Sequence, residues 1–136
     1  MAGDDAAQGS EAWQVSCDDY VARHPPRYDV GFDRFSTYVA ARDDTRLAVD
    51  VHLPKGLRRQ DRLPTIINFT PYFRRFKLKD GHPPALDPSP NTGKYSDYFV
   101  PHGYAVVVVD VRGTGASFGT RNAFRSPAER DDCRDV

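Results

Sequence analysis

The 136-residue sequence has no net charge, two cysteines and no apolar run of membrane-spanning length. Its 19 basic residues are matched by 19 acidic ones. It therefore lacks the overall basic footprint that draws a domain to nucleic acid, and no nucleic-acid partner is expected. Cys17 and Cys133 are too far apart to read as a disulfide framework or a metal spacing, so they read as two free thiols in a reducing compartment. The N-terminus, Met-Ala-Gly-Asp-Asp-Ala-Ala, is acidic and has no apolar centre, so no signal peptide is read there. With no spanning run either, the expected location is cytoplasmic, with no membrane partner. His24, His52, His82 and His102 share no metal-ligand spacing, and neither a metal nor a cofactor is expected. There is no internal repeat, and the one Gly-x-Ser-x-Gly, Gly115 to Gly119 around Ser117, lies inside a longer glycine-rich stretch and is not read as a serine elbow.

What the chain does have is concentrated in Ala105 to Gly119. A continuous apolar run, Ala105 to Val109, is followed by Asp110, Arg112 and three glycines, Gly113, Gly115 and Gly119. Such a run reads as a strand buried on both faces, as in parallel sheets. The glycine-rich stretch then forms a tight loop at the strand's C-terminal end, where ligands of open α/β sheets usually sit.

Other elements fall into place around this strand. The first eight or so residues read as a small acidic tail. Trp13, Cys17, Tyr20 and Val21 form one face of a short helix that Pro25-Pro26 ends. Phe35 to Ala41 has strand character, and Arg42 to Thr45 reads as a turn. In Arg46 to Leu53 the apolar Leu47, Val49, Val51 and Leu53 alternate with Arg46, Ala48, Asp50 and His52. That period of two predicts a half-buried strand paired in a hairpin, with His52 on the polar face. Asp44 occupies a turn position that would suit glycine.

Pro64 to Thr70 reads as a third strand and Phe73 to Thr92 as a long loop. Tyr95 to His102 reads as a helix capped by Gly103. Ser126-Pro-Ala-Glu129 is a capping box with proline at the first helical position. The third and fourth strands flank a helix, which predicts a right-handed crossover and an α/β sheet. The expected division is an N-terminal extension over 1–34, partly disordered, and a domain over 35–136.

Together these segments resemble the X-Pro dipeptidyl-peptidase-like hydrolases, a group that includes cocaine esterase and the α-amino-acid ester hydrolases. Arg42 to Pro54 resembles the family's RDGxxLxxDxxxP hairpin, and Thr70-Pro71-Tyr72 its TPY. Gly103 to Gly119 resembles its GYxVVxxDxRGxGxSxG. The acidic helix start after Ser126 also fits. The resemblance implies the N-terminal part of an α/β-hydrolase core, an antiparallel hairpin leading into a parallel sheet. It also implies serine-dependent hydrolysis of a small-molecule ester or amide. Tyr72 then corresponds to the family's oxyanion-hole tyrosine. The family's nucleophile, its aspartate and its histidine have no counterpart in these residues. The domain is therefore expected to be incomplete before its nucleophile elbow, and inactive alone.

The remaining candidates have plainer readings. Ser117 lies in the loop after the fourth strand rather than in an elbow, and is set aside as a nucleophile. Asp110 and Arg112 are expected to pair with each other and hold the glycine loop. The three glycines are weighed as a phosphate cradle and set aside, because the helix start at Ser126 comes too late. Arg74, Arg75, Lys77 and Lys79, interleaved with Phe73 and Phe76, read as a solvated loop. An alternative to a catalytic role is a non-catalytic interaction module that self-associates through an exposed strand over 65–70.

Overall fold

A computed structural model describes residues 15–28, 31–76 and 93–136. Strands β1 (Phe32–Ala40) and β2 (Arg46–Pro54) form the antiparallel hairpin, with Val39 opposite Leu47 and Phe35 opposite Val51. β1 thus starts at Phe32 rather than Phe35. Asp44 turns the corner at φ 61°, a left-handed conformation that Asp tolerates better than most residues. Asp43 Oδ1 accepts the Thr45 N–H at 3.2 Å and closes the turn.

Strands β3 (Thr65–Thr70) and β4 (Ala105–Asp110) run parallel, with Ile66 opposite Val106 and Thr70 opposite Asp110. The four strands are ordered β1-β2-β4-β3. β2 and β4 are interior, and β3 is an edge of the sheet among the described residues.

β2 corrects the expectation of a half-buried strand. Its alternation does place two residue sets on opposite faces, but both faces are covered. Leu47 and Val49 pack with Val109, Val107, Phe69 and Val136 on one side. On the other, Val106 and Val108 pack with Val100, Phe99, Ile66 and Phe32, and Asp50 and His52 are almost wholly buried there. His52, expected on a polar face, lies edge-on to Phe32 with ring centroids 5.4 Å apart. Its Nδ1 is 3.3 Å from the Val106 carbonyl oxygen. The covering is tertiary, supplied by helix α2 (Gly93–Phe99) and by residues of the loop after β3.

Regular turns of α2 end at Phe99, short of His102. The Tyr104 N–H donates to Phe99 O and the Gly103 N–H to Val100 O, at 3.1 and 3.0 Å. This is a Schellman cap, with Gly103 at φ 90° and the Tyr104 ring against Phe99 as its apolar contact. Helix α3 (Pro127–Asp135) starts as its capping box predicts, with Ser126 Oγ accepting the Glu129 N–H at 3.2 Å. The Glu129 carboxylate reaches back to the Arg125 N–H at 2.8 Å, one residue before the usual partner.

Helix α1 (Cys17–Arg23) is N-capped by Ser16 and buries no residue. The apolar face read in Cys17, Tyr20 and Val21 is therefore not a packed one, and Trp13 lies outside the described residues. Cys17 and Cys133 are free thiols. Among the described residues no helix is long and apolar enough to cross a membrane.

Candidate functional site

Because β3 and β4 are parallel, their C-terminal ends coincide at Thr70 and Asp110. Two loops leave the sheet there, 71–76 and 111–119. This is the end of an α/β sheet at which ligands and chemistry usually gather.

The loop after β4 is organised around the Asp110 carboxylate, which is 1% exposed. Its Oδ2 accepts the Ala116 N–H at 3.0 Å. Oδ1 accepts the Arg74 N–H at 2.7 Å, and Arg74 Nη1 donates to Oδ2 at 2.5 Å. Gly113, Gly115 and Gly119 all take positive φ, and the loop curls so that a carboxylate fills its concave side. The Ala116 N–H that a phosphate would need is thereby taken by a carboxylate.

The expected Asp110–Arg112 pair does not form. Arg112 Nε and Nη2 donate to the two oxygens of Asp132 at 2.7 and 2.5 Å, and Nη1 to Asp43 at 2.9 Å. Strand pairing stops at Asp110 and the chain turns, so the alternation that would keep 110 and 112 on one face no longer applies. Arg112 instead ties the loop to α3 and to the hairpin turn. These bonds hold the Arg112 guanidinium well above its ordinary value, and the Arg112 and Thr45 contacts hold Asp43 well below the usual carboxylate range.

Ser117 is engaged as a structural bridge. Its hydroxyl donates to Asp110 O at 2.6 Å and accepts the Ala48 N–H at 2.8 Å. Both interactions join the loop to the sheet.

The loop after β3 carries Tyr72. Its N–H donates to Thr70 Oγ1 at 3.1 Å, and its side chain is 66% exposed. Tyr72 borders a cavity of about 370 Å³ with Phe69, Val111, Phe124, Arg125 and Cys133. Burial and the nearby Asp132 and Glu129 carboxylates push the Cys133 thiol up, so it is not an activated thiolate.

Arg74 corrects the reading of this loop as solvated. Its side chain is 13% exposed, and Nε donates to Asp50 at 2.9 Å while Nη1 meets Asp110. Burial works against the Arg74 charge, but the hydrogen bonds and charges of Asp50 and Asp110 outweigh it and raise its pKa. Arg75 is more open; its Nη2 donates to Ser36 Oγ at 3.3 Å and its Nε lies 3.6 Å from Asp50 Oδ2. Phe73 and Phe76 meet edge-on at 5.8 Å. Lys77, Lys79 and His82 lie outside the described residues.

The remaining histidines stand away from Tyr72. His24 and His102 line a larger cavity, about 500 Å³, with Tyr20, Arg27, Tyr98 and Tyr104. It lies at the N-terminal end of β4, opposite the end that carries Tyr72. Each of these histidines places Nδ1 within 2.7 Å of the carbonyl of a tyrosine four residues earlier. Among the described residues, no group of three His, Cys, Asp or Glu side chains could hold a metal ion.

Sequence reasoning missed Asp50 and Asp132 as partners. A signal existed for each. Asp50 is an acid within a strand whose neighbours are apolar. Asp132 follows the capping Glu129 by three residues, on the same helix face.

Comparison with known proteins matches residues 43–136 to the X-Pro dipeptidyl-peptidase (S15 family) model. A Mycobacterium bovis protein provisionally named a serine esterase is 42% identical over 118 residues, 83% of this chain. A Streptomyces avermitilis protein provisionally named an Xaa-Pro dipeptidyl-peptidase is 38% identical over 80 residues, 54% of this chain. The chain spans 18% of the mycobacterial protein's length and 12% of the other's. Among solved structures, a hypothetical protein from Pseudomonas aeruginosa aligns over 79% of this chain and 30% of its own, with a TM-score of 0.54 and 26% identity. An aminopeptidase from a marine-sediment Thaumarchaeota archaeon aligns over 84% and 19%, with a TM-score of 0.50 and 22% identity, a likeness of fold alone. The fold class is that of the α/β-hydrolases, here the hairpin and the first parallel strands of the sheet.

Proposed function

The chain belongs to the X-Pro dipeptidyl-peptidase (S15) family, and we propose that it supplies Tyr72 as an oxyanion-hole donor to a serine hydrolase of ester or amide bonds. Attack of a serine on the carbonyl carbon moves negative charge onto the carbonyl oxygen. A phenol O–H held in place beforehand stabilises that charge as it develops. One such donor is worth about 2.7–4 kcal/mol, or roughly 10²–10³ in kcat. The observation that carries this reading is the exposed Tyr72 side chain beside a cavity, just past the C-terminal end of β3.

The same reading assigns the nucleophile, base and acid to residues other than these 136, whose one Gly-x-Ser-x-Gly centres on Ser117 in the loop after β4, with its hydroxyl tied to Asp110 O and the Ala48 N–H. The chain alone is accordingly expected neither to turn over esters nor to react with a fluorophosphonate probe. The test is a chimera in which this chain replaces the matching segment of the mycobacterial relative. Tyr72→Phe is expected to lower kcat on a p-nitrophenyl ester or an X-Pro anilide by about 10²–10³ with KM little changed. Unchanged kcat would refute the oxyanion role, and stoichiometric labelling of Ser117 in the chain alone would refute the assignment of the nucleophile elsewhere.

A second reading is favoured by one observation. β3 is an edge strand among the described residues, and Ile67 on it is 44% exposed. Unpaired edge N–H and C=O groups beside apolar side chains invite strand pairing. On this reading the chain self-associates through 65–70. Sedimentation should show concentration-dependent dimers that Ile67→Lys abolishes; a monomer at all concentrations would exclude it.

A further inference from the structure

We propose that Arg74 is a positioning residue for Tyr72, clamping the loop that carries it to two buried carboxylates; its catalytic purpose rests on the oxyanion reading above.

Tyr72 lies between two anchors. Behind it, its own N–H is bonded to Thr70 Oγ1. Ahead of it, the Arg74 N–H is bonded to Asp110 Oδ1 at 2.7 Å. Between the anchors Phe73 sits at φ 66°, a conformation that a bulky side chain avoids unless its surroundings impose it. The group that imposes it is the Arg74 side chain. It crosses the end of β4 and donates to Asp110 with one nitrogen and to Asp50, on β2, with another.

Both carboxylates belong to the rigid interior of the sheet. Asp50 is 0% and Asp110 1% exposed, and Asp50 stands opposite Val108 in the β2–β4 register. The clamp therefore refers the Tyr72 loop to the two central strands rather than to another loop. A planar guanidinium can address two carboxylates in fixed directions at once, whereas a lysine ammonium is a single point charge on a flexible stem. Preorganisation of this kind is what an oxyanion donor needs, because a donor that must reorder during the reaction loses much of its effect.

The test uses the 136-residue chain labelled with 3-fluorotyrosine, the Tyr72 resonance being assigned by its loss in Tyr72→Phe. In Arg74→Lys the Tyr72 fluorine signal should move to the position of an unstructured tyrosine, and the amide of residue 74, bonded to Asp110, should exchange at least about tenfold faster. The Val107 and Val108 amides should keep their protection, which separates loss of position from loss of fold. If Arg74→Lys does not fold, Asp50→Asn removes one arm of the clamp and should give the same changes in smaller measure. An unmoved Tyr72 signal with unchanged exchange of the residue 74 amide, in whichever variant folds, would overturn the proposal.

The mycobacterial chimera distinguishes this proposal from the one it rests on. Arg74→Lys should lower kcat in the parent and cost nothing further in a Tyr72→Phe background. A harmless Tyr72→Phe would sink the oxyanion reading while leaving the clamp intact. An Arg74→Lys loss that persists in full without the phenol would sink the positioning role instead.

Discussion

The Asp110 carboxylate occupies the space that a Cβ on residue 115 would need. Gly115, at φ 55°, lets the loop close around that carboxylate and deliver the Ala116 N–H to it. Gly115→Ala should therefore be destabilising beyond its backbone cost, by about 1–3 kcal/mol for the overlap. Gly31, at φ 84° with nothing within 4 Å of an added Cβ, is the control. Gly31→Ala should lose only the left-handed backbone term of about 1–2 kcal/mol. Urea midpoints of the two variants check the difference, and equal losses would refute the overlap.

Arg112 joins the β4 loop to α3 through Asp132, whose side chain is 2% exposed. Arg112→Met leaves that carboxylate buried without a counter-charge, and the expected loss is about 3–5 kcal/mol. The outer arm of Arg112 goes to Asp43, which is 48% exposed. Asp43→Asn should cost far less, because solvent screens that pair. Chemical denaturation of both variants measures the contrast.

Ser117→Ala tests the structural reading of that hydroxyl. The change strands the Ala48 N–H on the side of β2 that faces the β4 loop, where Ala48 is 0% exposed. A buried donor without a partner costs about 1–3 kcal/mol. Amide exchange at Ala48 should rise while the β1–β2 register persists.

Acid sensitivity follows from depressed carboxylates, of which Asp43 and Asp135 tie distant segments together while Asp61 pairs only with nearby Arg58. Asp43 is lowered by its hydrogen bonds from Arg112 and Thr45, and Asp135 by hydrogen bonds from the Arg42 side chain and backbone. For a group whose folded pKa is depressed, the stabilisation is present above the unfolded aspartate value, about 3.9. It is lost as pH falls through the folded value. The melting temperature should hold from neutral pH to about 5 and fall from about 4 downward. An Asp43→Asn, Asp135→Asn double variant should show a shallower acid limb; an unchanged limb would refute these two groups as its source.

Local chemistry made much of the fold legible. Asp44 in the hairpin turn, the Gly103 cap and the Ser126–Glu129 capping box each depend on residues within a few positions of one another. Their dihedral and hydrogen-bonding preferences act whatever the rest of the chain does. The continuous run before Asp110 likewise announced an interior strand. The site was less legible. Tyr72 came through family resemblance, while the clamp of Asp50, Arg74 and Asp110 went unread, although each residue was in view. A period of two divides β2 into faces but does not say whether a face meets water.

By itself, the sequence determined the hairpin, the parallel pair, the helix starts and the family. These rest on backbone preferences and on apolar patterning that must be buried somewhere. Only the tertiary structure decided the partners of the charged residues. Asp110 meets Arg74 across 36 positions, Arg112 meets Asp132 across 20 and Asp43 across 69. Charge attracts without regard to sequence distance, so which Asp meets which Arg depends on where the sheet and the turns after β3 and β4 bring each chain segment.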